Sequence, residues 1–289
     1  VNTATDAPTR PALRWHGGKW LLAPWIIQHF PPHRVYVEPF GGAASVLLRK
    51  RRCTGEVYND LDGEAVNLFR VLRSPRAVEL IEAIRLTPFA REELERARMP
   101  ADDDVERARL LVVRSFMGFG SDGHNPAIKT GFRANSNRSH TTPAVDWANL
   151  PEALVLIAER LRGVTIERRE AMEVMAAHDG ANTLHYVDPP YLPETRSNKS
   201  RRWGGGYHAY THEMDDADHA ELLAFLPTLN GAVVLSGYHS ELYEEALEGW
   251  ARVERAAMAD GARSRTEVLW LNEAAVAAGA QQPLFREAG

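Results

Sequence analysis

Short apolar runs rich in Val, Leu, Ile and Tyr recur along the chain with helical patterns between them, and this alternation constrains the fold more than any other feature. Strands joined through helices pair in parallel, because the helix carries the chain back to the starting edge. A first strand over residues 34–38 ends at Pro39-Phe40-Gly41-Gly42. A helix over 44–51, a strand over 56–59 and a helix over 64–72 follow, the last placing Ala65, Leu68, Phe69 and Leu72 on one face. Further along, a helix over 152–161 leads to a strand over 164–168, a helix over 171–178 and a strand over 184–187. A helix over 217–226, a strand over 232–236 and a helix over 241–247 complete the alternation. Strands over 251–256 and 266–271 have no helix between them, so they are expected to form an antiparallel pair at the sheet edge. The expected class is α/β, with a mostly parallel sheet.

Residues 74–149 break the rhythm. Helical pieces over 77–84, 92–98 and 105–117 give way to a stretch over 118–142 rich in Gly, Ser, Asn and Thr. So long a polar segment is unusual as a plain connection in a compact domain. Residues 74–149 therefore read as a largely helical insertion that binds something, and 10–73 with 150–273 as the domain it interrupts. Residues 274–289 read as a C-terminal tail.

With 289 residues, the chain has room for one large domain or a domain with an insertion. No apolar run approaches the roughly 20 residues that cross a membrane. The first ten residues lack the charged start and apolar stretch of a secretion signal. Cys53 is the single cysteine, which rules out an internal disulfide, and the scattered histidines have no zinc spacing. These features fit a reducing cytoplasm, no bound metal and no obligatory protein partner. The net charge of −5 argues against a generally nucleic-acid-binding surface, but a local basic patch is what counts. Two stretches qualify: 129–138, with Lys129, Arg133 and Arg138, and 196–202, with Arg196, Lys199, Arg201 and Arg202.

The exit of the first strand lies where open α/β sheets bind ligands, beyond the carboxyl end of a strand. Gly41 and Gly42 there allow a tight turn and close backbone approach. Asp60, at the end of the second strand, stands where an acid can hold the ribose hydroxyls of an adenosine group. The phosphate-binding G-x-G-x-x-G is absent, and with Glu38 beside Asp60 the pocket is acid-rich. That favours the positively charged S-adenosyl-L-methionine (AdoMet) over a dinucleotide. Gly17-Gly18-Lys19 is not a phosphate loop, since Leu13 stands in place of its first glycine and Trp20 in place of its hydroxyl residue.

Asp188-Pro189-Pro190-Tyr191 directly follows the apolar strand that ends at Val187. The prolines stop the strand and remove two backbone donors, leaving a carboxylate, outward carbonyls and an aromatic ring. An amine conjugated to a nucleobase is a poor nucleophile because its lone pair is delocalised. Accepting its hydrogens on Asp188 and the Pro189 carbonyl would draw the nitrogen towards tetrahedral geometry, and Tyr191 could stack on the base. No covalent intermediate is needed, so no catalytic cysteine is expected.

Taken together, the chain resembles the Dam-type family of DNA adenine amino-methyltransferases, in its phage-associated branch. The similar segments are Arg14-Trp15-His16-Gly17-Gly18-Lys19, Tyr36-Val37-Glu38-Pro39-Phe40-Gly41-Gly42, Asn59-Asp60 and Asp188-Pro189-Pro190-Tyr191. His219-Ala220-Glu221-Leu222-Leu223, Val234-Leu235-Ser236-Gly237-Tyr238 and Glu267-Val268-Leu269-Trp270-Leu271-Asn272 extend them. The resemblance implies a Rossmann-like AdoMet-dependent methyltransferase sheet, with 74–149 as the target-recognition domain and double-stranded DNA as partner. It implies that Trp15 and Lys19 meet the methionine end of the cofactor, Lys19 at its carboxylate. Phe40 and Gly41 would line the pocket and Asp60 would bind the ribose. Glu170 would hold the cofactor's adenine amine, where the family more often has Asp. The target adenine would be flipped out of the duplex, with the basic loops on the backbone and the insertion reading base edges.

Three other readings share these residues: transfer to cytosine N4, transfer to RNA or a protein amide, and a silent DNA-binding module. Trp203, Tyr207 and Tyr210 would either stack on bases or pack their own loop. His16, His124, His208 and His212 need no special role. Trp250, Trp270 and Cys53 read as core or partly buried residues, and the acids at 102–104 and 215–218 as helix starts.

Overall fold

A computed structural model describes residues 7–120, 128–135, 137, 141–192, 212–259 and 263–280. Seven strands form one sheet: β1 (Val35–Glu38), β2 (Gly55–Asn59), β3 (Val164–Glu167), β4 (Thr183–Val187), β5 (Ala232–Gly237), β6 (Ala251–Ala259) and β7 (Arg263–Leu271). Their spatial order is β3-β2-β1-β4-β5-β7-β6. The pairs among β1 to β5 are all parallel. β7 runs antiparallel to both β5 and β6, the pairing with β6 as expected for two strands with no helix between them. From β1 the chain winds outward through β2 and β3, then returns to place β4 and β5 on the other side. The winding thus reverses between β1 and β4, which opens a crevice at their carboxyl ends.

The sheet is covered on both faces, and successive residues alternate between two cores. Tyr36, Tyr58, Tyr186, Val234 and Leu269 face one core. Val37, Val57, Val187, Val233, Leu235, Val268 and Trp270 face the other. All residues of β4 and β5 are buried, as strands sandwiched between helical layers must be.

The first layer contains α1 (Ala23–Gln28), α2 (Ser45–Arg49) and α3 (Gly63–Leu72). It continues through α4 (Ala77–Leu86), α5 (Arg91–Arg96), α6 (Asp104–Met117), α7 (Pro143–Ala148) and α8 (Leu150–Arg160). The second contains α9 (Ala171–His178), α10 (Asp216–Phe225) and α11 (Glu241–Ala246). The acids expected at helix starts do cap them. Asp103 accepts the Val105 and Glu106 amides at the start of α6, and Asp215 forms a reciprocal capping box with Asp218 at the start of α10.

Among the described residues, the helices within 74–149 share the core of the first layer: α6 packs along α3, α4 packs on α8, and their buried residues join the cluster that holds Tyr36 and Leu47. The 118–142 stretch begins with a short antiparallel pairing, Gly118 against Phe132, closed by the Phe119 amide on Gly131 and the Arg133 amide on Met117. After β7 comes a further helix, α12 (Glu273–Ala280). Asn272 moors it: its Oδ1 accepts the Val233 and Ala275 amides at 2.9 Å each, and its Nδ2 donates to Gly231 O at 3.0 Å.

Candidate active site

The crevice between the ends of β1 and β4 is a cleft of about 540 Å³. Trp15, Lys19, Glu38, Phe40, Gly41, Asp60, Glu170, Asp188, Pro189 and Pro190 all line it. These include every residue assigned to the cofactor from the sequence, although they come from segments as far apart as Trp15 and Pro190.

The β1 exit is built around close contacts. A Cβ on Gly41 would lie 2.2 Å from the Tyr58 ring, so only glycine lets β2 press against this turn. Gly42 adopts φ +47° with Trp15 Nε1 over it, 2.8 Å from where a Cβ would stand. Its amide donates to Asp60 Oδ2 at 2.7 Å, and its carbonyl accepts the Tyr58 hydroxyl at 2.8 Å. Asp60 Oδ1 accepts the Asp62 amide at 2.7 Å. Burial pushes Asp60 up to about 6, against the pull of these two amides. Glu38 Oε2 accepts the Tyr36 hydroxyl at 2.7 Å and the Leu47 amide at 2.9 Å, tying β1 to α2. Full burial pushes it up to about 8.

Asn59, which the sequence reading placed in a motif without giving it a task, holds three strand ends together. Its Nδ2 donates to Pro39 O and Arg169 O at 2.9 Å each, and its Oδ1 accepts the Arg169 amide at 2.9 Å. That arrangement fixes the turns carrying Phe40 and Glu170 relative to β2.

Asp188 follows β4. Its Oδ1 lies 3.0 Å from Lys19 Nζ, and Lys19 also donates to Gly17 O at 3.0 Å. Burial pushes Asp188 up to about 6; Lys19 opposes that shift and Glu267 adds to it. Tyr191 lies away from the cleft lining and is buried. Lys19 Nζ stands 4.5 Å above its ring centroid, Tyr238 meets it edge-on at 4.4 Å, and its hydroxyl donates to Glu267. In this conformation the ring is not presented for stacking on a base.

Around this centre the cleft is acidic. Asp62, Glu213, Asp218 and Glu221 add to Glu38, Asp60, Glu170 and Asp188, with Met172 and Met214 as apolar wall. Among the described lining residues, Lys19 alone is a lysine or arginine. No group of His, Cys, Asp or Glu among the described residues is arranged to hold a metal ion.

A model of the family "D12 class N6 adenine-specific DNA methyltransferase" matches residues 15–260, which contain both sides of the cleft. The chain belongs to this family.

Its relatives include the DNA adenine methylase of Escherichia coli strain K12, 25% identical over 269 residues, covering 87% of this chain and 90% of the relative. That of Salmonella typhi is 25% identical over 82% of this chain and 83% of its own length. That of Vibrio cholerae serotype O1 is 29% identical over 68% and 71%. This chain is therefore an adenine-specific DNA methyltransferase of the D12 class on an α/β sheet. Of the residues that the methyltransferase was expected to use on DNA, Lys129 is exposed, and Arg133 is partly buried with its guanidinium 3.9 Å from Asp146. Arg138, Arg196, Lys199, Arg201 and Arg202 lie outside the described residues, as do Trp203, Tyr207 and Tyr210. No helix among the described residues is long and apolar enough to cross a membrane.

Proposed function

We propose that this D12-class enzyme transfers the methyl group of AdoMet to N6 of an adenine flipped out of double-stranded DNA, with Asp188 as the residue that meets the reacting amine. The observation that carries the reading is the position of Asp188. It is a carboxylate with only 15% of its side chain exposed, at the switch point of the sheet, followed by two prolines, at the edge of an acid-lined cleft.

The donor set suits the cofactor. A cleft whose described lining carries many acids and one lysine favours a ligand with a sulfonium, an amine and one carboxylate, and disfavours a pyrophosphate. Trp15, Phe40 and Gly41 would line its site, Asp60 would hold its ribose, Glu170 its adenine amine and Lys19 its carboxylate. Bound there, AdoMet supplies an electrophilic methyl group on a cationic sulfur. The chain's own part is to prepare the nucleophile. Asp188 and the Pro189 carbonyl accept the two hydrogens of the adenine amine, localising the nitrogen lone pair. As N6 gains the methyl it sheds one proton, for which Asp188 is the adjacent base. Tyr191 would have to leave its present cover to stack on the base. Residues 74–149 would read the target sequence, with the basic stretches at 129–138 and 196–202 on the phosphates. The lack of membrane-crossing helices among the described residues and a DNA substrate together support a cytoplasmic setting.

The test uses methyl-labelled AdoMet and unmethylated DNA of mixed sequence, digested to nucleosides. Wild type should place label in N6-methyladenine. Asp188→Ala should abolish that label while AdoMet still binds. Label in methylcytosine would overturn the substrate, and a fully active Asp188→Ala would remove this residue from the mechanism.

A further inference from the structure

Glu267 lies on β7, beyond the segment that the family model matches, and its side chain is only 3% exposed. Its Oε1 gathers three donors. Tyr191 donates its hydroxyl, Ser236 Oγ donates at 3.0 Å, and Lys19 Nζ lies 3.5 Å away. The same ammonium is 3.0 Å from Asp188 Oδ1. One buried cation thus stands between the buried Glu267 and the partly buried Asp188, over the ring of the residue that closes the Asp188 turn.

This arrangement presents a problem that the transfer step must solve. The hydrogens of an incoming amine compete with Lys19 for Asp188, and a neutral amine cannot compensate the ammonium it displaces. Taking a carboxylate away from a buried ammonium is unfavourable. Lys19 is spared this because a second carboxylate is already within reach.

We propose that Glu267 is a positioning residue of the transfer site: it receives Lys19 when the target amine claims Asp188, and it holds the Tyr191 hydroxyl until the ring turns to the base. The exchange needs no covalent change and no proton movement, only a shift of Lys19 from one carboxylate towards the other. Ser236, donating to the same Glu267 oxygen from neighbouring β5, holds the acid in place while its load changes. The role rests on the reading of Asp188 given above.

Glu267→Gln separates the two duties, because the amide oxygen still accepts from Tyr191 and Ser236 but carries no charge to take Lys19. Steady-state kinetics on DNA, with AdoMet affinity measured separately without DNA, should show kcat reduced by about tenfold or more with AdoMet affinity changed less than about twofold. In a Lys19→Gln background, the further loss from Glu267→Gln should shrink towards nothing, since no ammonium remains to be received. A wild-type kcat for Glu267→Gln would overturn the proposal, as would an equal loss with and without Lys19. Melting temperatures guard against misfolding, and the isosteric Gln keeps the test available if Glu267→Ala fails to fold. Asp188→Ala is assayed alongside. Activity in that variant would sink the role of Asp188 itself, whereas an inactive Asp188→Ala beside a fully active Glu267→Gln would sink only the role of Glu267.

Discussion

Replacing Asn59 with Asp changes one atom and should disable the frame of the cleft. Asn59 is fully buried, and its amide nitrogen faces two carbonyl oxygens, Pro39 O and Arg169 O, at 2.9 Å each. A carboxylate oxygen in that place points a negative charge at two acceptors. If it takes up a proton instead, its single O–H satisfies one carbonyl and leaves the other unpaired. Each buried polar group left unmatched costs about 1–3 kcal/mol, so the loss at neutral pH should be about 3–5 kcal/mol once the buried charge is included. The loss depends on pH. The new carboxyl titrates in the folded state above its unfolded value of about 3.9. Its protonated form is therefore favoured by folding; that contribution is fully present below the unfolded value and disappears as pH rises through the folded one. Urea unfolding followed by tryptophan fluorescence should show Asn59→Asp closest to wild type near pH 4 and furthest from it at pH 8. Cofactor affinity should fall with stability, because Phe40 and Glu170 are carried on the two turns that Asn59 joins. A variant within about 0.5 kcal/mol of wild type at pH 8, the range of a neutral surface change, would refute the assignment of this side chain as the tie between strands.

Transfer should also fail in acid. Asp188 accepts an amine hydrogen only as a carboxylate, and burial pushes it up to about 6, so kcat should drop as pH falls through that value. A profile flat down to pH 5 would contradict the role. Since Lys19 pulls Asp188 downward, Lys19→Met should move the acid limb to higher pH; an unmoved limb would separate the two groups. Gly41→Ala puts a Cβ 2.2 Å from the Tyr58 ring and should destabilise by about 1–3 kcal/mol, read as a lowered melting temperature, with AdoMet affinity lost as the turn shifts.

Much of this was legible in the sequence because it is local. The strand and helix positions follow from periodicity, and β6 and β7 were paired correctly from the missing helix between them. Glu38, Asp60 and Asp188 declared themselves because each ends or follows a strand whose neighbours are apolar. What stayed hidden is short or long-range. α1 and α7 are six residues each, with a proline in the first turn, too brief to display a helical stripe. α12 is rich in alanine, and its docking depends on Asn272, whose partners Gly231 and Val233 lie just before and within β5. A break in rhythm marks out 74–149 in the sequence, but it does not reveal that α6 packs on α3 in one core. Tyr191 shows the limit most clearly: a tetrapeptide gives the ring its place after Asp188, but its cover comes from Lys19, Tyr238 and Glu267, each distant in the chain.

The hairpin of β6 and β7 also sets the timetable of synthesis. β7 is made after β6 yet lies inside it against β5, so the last strand of the sheet is an inner one. Until residue 271 has emerged, β5 has no neighbour on that side, and Lys19, made near the start, lacks one of the two acids that bracket it. The nascent chain therefore carries the motifs proposed to bind cofactor and base long before it carries a finished site.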